Sequence, residues 1–411
     1  MRQRRWALFD WLRDLMEPSK DTDGIWMSAC IAAATDGNLE RLQAFVAFNR
    51  NLSARYFIQE AVLYGHQHVI DWICAMEIDA KRDHGTSAAI VGDPAAPKAQ
   101  TYTFLANKHL CDKAAEGGHL SILMWLREMG CPWSKSTCAM AAAGGHLVTL
   151  QWLRTNGCPW DRLVCTNAAS GGHLAVLQWA RANGCSWNAE GCLSSAAKHG
   201  HLHIIRWMHT TGHSWTQRKE ETSLPSEVSG DGESKPTWPS VIPDRWGMEA
   251  MEQAARGGHL HVMQWMRANG CPWDARVCQM AALGGHLNVL EWACENGCQW
   301  GSWACVNAIQ GGHLHVIEWA HTNGYPLDRD GFNCAWAAGP GHLGVLQWLR
   351  AHGCAWDAET CSLAAAAGHL HVIQWARAHG CPWNEWAYEQ ARYGKNKHIV
   401  AWLEANGCPR P

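Results

Sequence analysis

Cysteine and histidine are the residues of this sequence that most readily suggest chemistry, because both bind zinc. The 411 residues include 19 Cys and 24 His. Seven of the cysteines stand eight residues before a histidine that follows glycine: Cys111, Cys138, Cys165, Cys278, Cys305, Cys334 and Cys361. No Cys-x-x-Cys pair occurs, so the spacing is not that of a zinc site. We therefore expect small buried cysteines, no metal site and no cofactor.

One glycine-rich segment suggests nucleotide binding. Residues 339–344, Gly-Pro-Gly-His-Leu-Gly, formally fit the dinucleotide-binding fingerprint, but no strand is predicted before them. The corresponding segments elsewhere in the chain are Gly-Gly-His-Leu, which indicates that residues 339–344 form a variant of the same turn between helices. The sequence also lacks a P-loop, a His-Glu-x-x-His motif and a distinctive pair of carboxylates. We predict no catalytic residues and a protein that is not an enzyme.

The histidines belong to an internal repeat of 27 or 28 residues. We call the histidine of each Gly-His-Leu-like step the turn histidine. The intact steps place it at His66, His119, His146, His173, His201, His259, His286, His313, His342 and His369. One tryptophan follows it by six residues and another by fourteen, as Trp152 and Trp160 follow His146. With two degenerate copies, the pattern predicts about twelve repeats.

Each repeat has the pattern of two short helices. In residues 161–184, apolar side chains recur at helical spacing, stop at Gly171-Gly172, and recur again until Asn183-Gly184. Asp161, Asp274 and Asp357 precede first helices, where a carboxylate can cap the open amide groups. Helices of about ten residues are unstable alone. Their apolar faces, including both tryptophans, should pack between repeats, which predicts an all-α solenoid.

The run Ala-Ala-x-Gly-Gly-His-Leu-x-Val-Leu-x-Trp-Leu-Arg-x-Asn-Gly-Cys resembles the ankyrin repeat motif Ala-Ala-x-x-Gly-His-x-x-Val-Val-x-x-Leu-Leu-x-x-Gly-Ala. The resemblance covers nearly the whole chain and implies an ankyrin-like αα solenoid. The ankyrin period is about 33 residues, so about six residues are missing from the segment that forms the family's hairpin finger. The resemblance therefore implies reduced hairpin fingers. This short, tryptophan-rich form is similar to ankyrin arrays of large DNA viruses and protists.

The sequence also predicts how the array is divided. Residues 1–20 read as an amphipathic capping helix, and residues 21–215 as a first repeat block. Within that block, residues 81–100 have no helical period and are interpreted as a loop insertion. Residues 216–245 are rich in Ser, Pro and Glu and are predicted to be a flexible insertion, either an inert hinge or a short binding motif. Residues 246–411 form the second repeat block.

Charge and composition limit the partners. Lys plus Arg is 34 and Asp plus Glu is 37, for a formal charge of -3. A balance of this kind does not favour nucleic acid or an anionic membrane as partner. The absence of an export signal and the odd number of cysteines favour reduced thiols in the cytoplasm, with the nucleus as the alternative. We expect a monomer whose partners are proteins.

Positions that vary between repeats are the candidates for recognition, and they cluster on the first helix. The resemblance implies that this helix lines a concave groove. The candidate partner-binding residues are Asp112, Lys113, Glu116, Met140, Thr166, Asn167, Glu252, Gln253, Arg256, Gln279, Met280, Asn307, Gln310 and Trp336. On the second helix, Gln151 with Arg154 represents a recurring polar pair that we expect to be exposed on the convex face.

The function predicted from these features is a non-enzymatic protein-protein interaction scaffold that binds through the concave face. The alternative is a substrate adaptor for ubiquitin ligase machinery, as the resemblance to viral ankyrin proteins with an F-box implies. No F-box start is recognised here, so the adaptor reading requires the N-terminal helix to recruit the ligase. Nucleic-acid binding comes third, because the convex arginines alternate with acids.

Overall fold

A computed structural model of the protein describes residues 23–48, 57–83, 107, 109–211, 244–301, 303–327 and 333–410. The chain divides into two compact units, Met1–Asn188 and Ala189–Pro411. The described residues contain 24 α-helices and no β-strand. The predicted all-α solenoid of about twelve helix-turn-helix repeats is confirmed, since the helices form twelve successive pairs.

Unit 1 contains five of the described helix pairs. Its helices are α1 (Asp23–Asp36), α2 (Leu39–Phe48), α3 (Ile58–Leu63), α4 (Gln67–Asp83), α5 (His109–Glu116), α6 (Leu120–Glu128), α7 (Lys135–Ala143), α8 (Leu147–Thr155), α9 (Leu163–Gly171) and α10 (Leu174–Ala182). The odd-numbered helix of each pair is the first helix of its repeat, and the even-numbered helix is the second.

Unit 2 contains the other seven described pairs. Its helices are α11 (Ala189–Lys198), α12 (Leu202–Thr210), α13 (Asp244–Arg256), α14 (Leu260–Ala268), α15 (Arg276–Gly284), α16 (Leu287–Glu295), α17 (Ala304–Gly311), α18 (Leu314–Thr322), α19 (Asn333–Ala338), α20 (Leu343–Ala351), α21 (Ala358–Ala367), α22 (Leu370–Ala378), α23 (Glu385–Tyr393) and α24 (Lys397–Ala405).

Several predicted boundaries fall on residues that the structure does not describe. These are the capping helix of residues 1–20, residues 84–100 of the loop insertion, and residues 216–243 of the second insertion. Lys81 to Asp83 belong to the end of helix α4, and Asp244 and Arg245 begin helix α13. Helices α11 and α13, which precede and follow the second insertion, pack directly on each other within unit 2.

Within each unit, the first helices of successive repeats pack closely together. Each second helix packs mainly on the first helix of its own repeat. Small side chains allow the close approach: in helix α9, for example, Cys165, Ala168 and Ala169 are fully buried. The second helices supply larger apolar groups, such as Val176 and Leu177 of helix α10. The core therefore lies between the two helix layers.

Helix ends follow the predicted signals. The carboxylate of Asp161 accepts a hydrogen bond from the Leu163 amide at 2.9 Å, and Asp357 accepts one from the Glu359 amide at 3.0 Å. These aspartates cap amide groups that would otherwise have no partner at the helix start. The first helix ends where a glycine adopts a left-handed backbone, as at Gly172 with φ 79°. The predicted N-terminal and C-terminal signals at these positions are confirmed.

Candidate protein-interaction surface

The turn between the two helices locks each repeat to the one before it. In the repeat of His313, the Nε2 atom donates a hydrogen bond to the Leu283 carbonyl of the preceding repeat at 2.9 Å. The ring lies so close to Gly285 that a Cβ there would be 2.4 Å from Nδ1. Gly285 also has φ +74°, a conformation that other residues adopt only at a cost. We call this combination of histidine, carbonyl and glycine the turn interlock.

The turn interlock recurs along both units. The Nε2 to carbonyl oxygen distance is 2.9 to 3.0 Å for His66 to Thr35, His119 to Leu63, His146 to Glu116, His173 to Ala143, His259 to Lys198, His286 to Arg256 and His342 to Gln310. Burial lowers the pKa of His146, His259, His313 and His369 from its usual value of 6.5. These rings are therefore neutral at pH 7, and those of His146, His259 and His313 donate hydrogen bonds to the preceding repeat.

In six repeats, the loop that closes the repeat is built around an arginine that stacks on the loop tryptophan. The guanidinium of Arg350 lies 4.2 Å from the ring centre of Trp356, and that of Arg377 lies 4.1 Å from the ring centre of Trp383. The same arginines donate to the carbonyls of the loop cysteines. We predicted that these second-helix arginines would form an exposed face. Instead they are half-buried, because stacking on tryptophan gains cation-π and packing energy.

The two tryptophan series meet across neighbouring repeats. The loop ring of Trp160 packs edge-on against the second-helix ring of Trp179 with ring centres 5.8 Å apart, and Trp356 packs on Trp375 in the same way. Edge-to-face contacts at this distance are favourable for aromatic pairs. The tryptophans thus fill space between repeats, as predicted. They are half-buried rather than fully enclosed, since the arginine covers only one side of each loop ring.

The cysteines are packing residues with one partial exception. All 19 are free thiols, and every one except Cys294 is buried. Within the described ranges, no group of three or more His, Cys, Asp or Glu side chains is arranged so that it could hold a metal ion. None of the helices described is long and apolar enough to cross a bilayer.

Four candidate residues of the first helices are engaged in contacts between repeats. The carboxylate of Asp112 is 8% exposed and accepts hydrogen bonds from Ser136 at 2.7 Å and Thr137 at 2.6 Å. Glu252 forms an ion pair with Arg276 of the next repeat at 3.1 Å. The amides of Asn167 and Asn307 donate to the carbonyls of Ala139 and Gln279 at 3.1 Å. These side chains help to set the distance between adjacent first helices.

The other candidates lie closer to solvent. Lys113 and Glu116 form an ion pair at 2.9 Å, and Thr166 donates to the Arg162 carbonyl at 3.3 Å. Arg256 and Trp336 are exposed. The partly exposed remainder are Met140, Gln253, Gln279, Met280 and Gln310. Of the fourteen candidates, Trp336 is the large apolar side chain that is most clearly exposed, at 39%.

The structure reveals exposed aromatic residues that the sequence analysis did not select. Trp303 at the start of helix α17 is 53% exposed, Trp386 in helix α23 is 55% exposed, and Tyr393 in the same helix is 86% exposed. These exposed residues and Trp336 lie ten, six or three positions before the turn histidine, or before Asn396, which takes its place in the last repeat. Residues with these spacings lie on one face of a helix. The sequence signal was an aromatic at these positions, where most sister repeats have polar or small residues.

We call the set Trp303, Trp336, Leu363, Trp386 and Tyr393 the aromatic face. Its members belong to four successive first helices of unit 2, α17, α19, α21 and α23, each of which packs on the next. A groove of about 270 Å³ lies between α21 and α23 and is lined by Glu359, Ser362, Leu363, Trp386 and Gln390. The groove is large enough to accept one or two side chains of a partner.

Charge is sparse on this part of the molecule. Helices α17 and α19 contain no charged residue, and helix α21 contains Glu359 alone. Helix α23 adds Glu385, Glu389 and Arg392. Apolar surface with few charges is typical of the centre of protein-protein interfaces.

No family model and no curated protein matches this chain. Among solved structures, the chain is similar to the human ASB11 ankyrin repeat domain, with 17% sequence identity and a TM-score of 0.31, covering 47% of this chain and 85% of that chain. It is also similar to the pentatricopeptide repeat protein PPR10 from maize, with 13% identity and a TM-score of 0.31, covering 98% of this chain and 61% of that chain.

The class of this protein is clear from its own architecture. The described residues form twelve successive helix pairs, and most of them share the glycine turn and the turn interlock. A chain in which each unit is a helix pair that packs on its neighbours is a helical repeat protein. Function in such a protein must reside in what differs between repeats.

Proposed function

We propose that this protein is a non-enzymatic scaffold that binds other proteins through the outward side of its first helices. The observation that carries the proposal is the aromatic face of unit 2. Most tryptophans of the repeat are shielded by arginine or by a second ring, whereas Trp303, Trp336 and Trp386 are exposed without a repeated structural role. Tryptophan and tyrosine are the residues most enriched among those that dominate binding energy at protein interfaces.

The chemistry of the aromatic face indicates what kind of segment fits it. An apolar side chain can enter the groove beside Leu363 and Trp386, and the amide of Gln390 can hydrogen-bond its backbone. Glu359 lies at the same groove and favours a neighbouring Lys or Arg on the partner. The expected ligand is therefore a protein segment with an apolar anchor beside a basic residue.

The repeat unit supports a more specific assignment. We propose a short-period, tryptophan-rich variant of the ankyrin repeat, similar to the arrays of large DNA viruses and protists. The Gly-His turn and the Ala-Ala pair of the first helix carry this assignment. A monomeric state and a cytoplasmic location, with the nucleus as alternative, are part of the same proposal; the odd number of cysteines favours a reducing compartment.

The test is a comparison of partners captured by two variants. The first combines Trp336→Ala and Trp386→Ala, which removes two exposed rings of the aromatic face, one of which lines the groove. The matched control combines Met124→Ala and Val148→Ala, which removes exposed apolar side chains from second helices of unit 1. Proteins crosslinked in the native cell would be identified by mass spectrometry, and the affinity of each would be measured with purified protein.

We expect the aromatic variant to lose a partner that the control variant retains. Truncation of one central aromatic anchor weakens binding by about 2 kcal/mol or more, which is roughly 30-fold in the dissociation constant. Ubiquitin ligase subunits among the lost partners would favour the adaptor role. If both variants bind every partner as the wild type does, with folding intact by circular dichroism, the aromatic face is not the binding surface.

A further inference from the structure

The last described repeat departs from the others at three positions around its turn, where Asn396 takes the place of the turn histidine. Four residues before this place, the other eleven repeats have Ala, Val or Ile, and every one of these side chains is fully buried. One residue before it all eleven have Gly, and one residue after it ten have Leu. The last repeat has an exposed cation at each of these positions: Arg392, Lys395 and Lys397.

The three cations line a groove of about 400 Å³ beside helix α24. Its apolar lining consists of Val400 and Ala401, and Glu404 is the acidic residue among those that line it. At the position of Val400, the other eleven repeats have an apolar side chain that is fully buried. Val400 is partly exposed, so the groove offers apolar surface as well as charge. We call it the basic groove.

The positive charge of the basic groove is not compensated. Glu404 already accepts a hydrogen bond from the Tyr388 hydroxyl at 2.9 Å and forms an ion pair with Arg410 at 3.3 Å. Glu389 lies one turn before Arg392 in helix α23 but forms no ion pair with it. Among the described residues, none of the three cations has a carboxylate oxygen within 4.0 Å. The groove is therefore positive on a chain whose formal charge is -3.

Another repeat of the same kind would not fit against the basic groove. In the sister turns, the glycine before the turn position leaves room for the histidine ring of the next repeat. At Gly341, for example, a Cβ would lie 2.7 Å from Nδ1 of His369. Lys395 has such a Cβ and keeps the left-handed backbone, with φ 57°. An occupant of the groove must therefore differ from the repeats of this chain.

We propose that the basic groove binds an acidic protein segment, with carboxylates against the three cations and an apolar side chain against Val400 and Ala401. Arginine binds a carboxylate through two parallel hydrogen bonds, and lysine binds it as a mobile point charge. Nucleic acids and anionic membranes are held by extended basic surfaces, whereas here three cations surround one groove with an apolar lining.

The basic groove is distinct from the aromatic face. The groove of the aromatic face contains Glu359 and favours a basic residue on its partner, whereas the basic groove favours acidic residues. The two surfaces therefore select segments of opposite charge. A scaffold with both surfaces could hold two different partners.

The test measures binding of an unlabelled peptide of repeated Glu-Glu-Leu to the full chain by isothermal titration calorimetry at low salt. A peptide of repeated Gln-Gln-Leu has the same apolar residues without the charge. The groove variant replaces the three cations: Arg392→Gln, Lys395→Gly and Lys397→Gln. The control variant removes the same charge from exposed positions elsewhere: Arg162→Gln, Lys198→Gln and Arg206→Gln.

We expect the groove variant to bind the Glu-Glu-Leu peptide roughly 10-fold more weakly than the wild type, because each exposed ion pair makes a modest contribution. The control variant should bind as the wild type does, and the Gln-Gln-Leu peptide should not distinguish the proteins. Added salt should reduce the difference, since it screens exposed charges. Lys397→Glu alone should also weaken binding, although an acid at the start of helix α24 stabilises the helix.

Three results would overturn the proposal. The wild type does not bind the Glu-Glu-Leu peptide, or the folded groove variant and Lys397→Glu bind it as tightly as the wild type does. The control variant loses as much affinity as the groove variant, in which case overall charge explains the effect. Single-stranded RNA or phosphatidylserine vesicles depend on the three cations more strongly than the peptide does, in which case the partner is a nucleic acid or a membrane.

Discussion

Removal of one turn histidine tests whether the turn interlock stabilises the array. We choose His313→Ala, because this ring both donates to Leu283 at 2.9 Å and packs over Gly285. The substitution deletes one hydrogen bond and leaves the Leu283 carbonyl without a partner, which costs about 1 to 3 kcal/mol. Loss of the half-buried ring adds about 1 kcal/mol from the space left behind. The free energy of unfolding should fall by about 2 to 4 kcal/mol.

The chain itself offers the matched control. In the last described repeat the turn position is Asn396, whose amide donates to the carbonyls of Ala365 and Ala366 at 2.9 and 3.0 Å. His313→Asn should therefore retain the hydrogen bond and lose only the ring packing, at a cost of about 1 kcal/mol. The difference between the two variants isolates the hydrogen bond from the volume of the side chain.

Thermal unfolding followed by far-ultraviolet circular dichroism provides the readout. For a cooperative unit of roughly 200 residues, each kcal/mol lowers Tm by about 2 to 4 °C, so His313→Ala should lower it by about 4 to 16 °C and His313→Asn by about 2 to 4 °C. Urea titration should give the same order. Equal losses for the two variants would show that the ring volume, not the hydrogen bond, stabilises the turn. No loss in either would refute the interlock as a source of stability.

Three further outcomes follow from the same contacts. Burial lowers the pKa of His146 and of three other turn histidines, so below about pH 6.5 the unfolded chain binds more protons than the folded chain. These histidines should therefore leave Tm unchanged above pH 7 and should lower it as the pH drops from 6.5 to 5. A series of thermal melts at different pH values would check this. Arg350→Ala removes the stack on Trp356 and the bond to the Cys354 carbonyl, and should cost about 1 to 2 kcal/mol by urea unfolding, whereas Gln347→Ala on the exposed face should cost less than 0.5 kcal/mol. Lys395→Gly should raise Tm, because Lys395 has φ 57° and glycine removes a strain of about 1 kcal/mol; a lowered Tm would show that the lysine side chain makes a larger contribution.

The scaffold could be predicted from the sequence because its signals are local. The helix caps at Asp161 and Asp357, and the glycine that ends the first helix at Gly172, depend on residues close to one turn. The arginines could not be placed in the same way. Whether Arg350 faces solvent depends on where the loop ring of Trp356 lies in space, and helical spacing carries no information on that point.

The exposed residues of the first helices were predicted less well, for a geometric reason. Asp112 and Lys113 were selected together as variable neighbours, but adjacent helical residues point about 100° apart. Asp112 therefore turns toward the next repeat and bonds Ser136, while Lys113 remains near solvent. Trp303 and Trp386 were missed because only the positions beside the Ala-Ala pair were considered. Helical spacing identifies the exposed face of a helix only when its buried face is already known, and here the structure identifies the buried face.

The turn interlock has a consequence for how such a protein changes length during evolution. For the eight turn histidines with a hydrogen bond described above, the acceptor carbonyl belongs to the preceding repeat, and a glycine of that preceding turn packs against the histidine ring. Duplication of one whole repeat leaves each histidine ring with an acceptor carbonyl and each turn glycine with a ring to pack on. Loss of a few residues from a repeat would instead disrupt its interlock with the repeat before it and with the repeat after it. The amount of intervening chain is immaterial, since His119 and His259 reach back 56 and 61 residues, instead of the usual 30, and still bond at 2.9 Å. The array can therefore gain repeats, and accept inserted segments between repeats, without substitutions in its buried core.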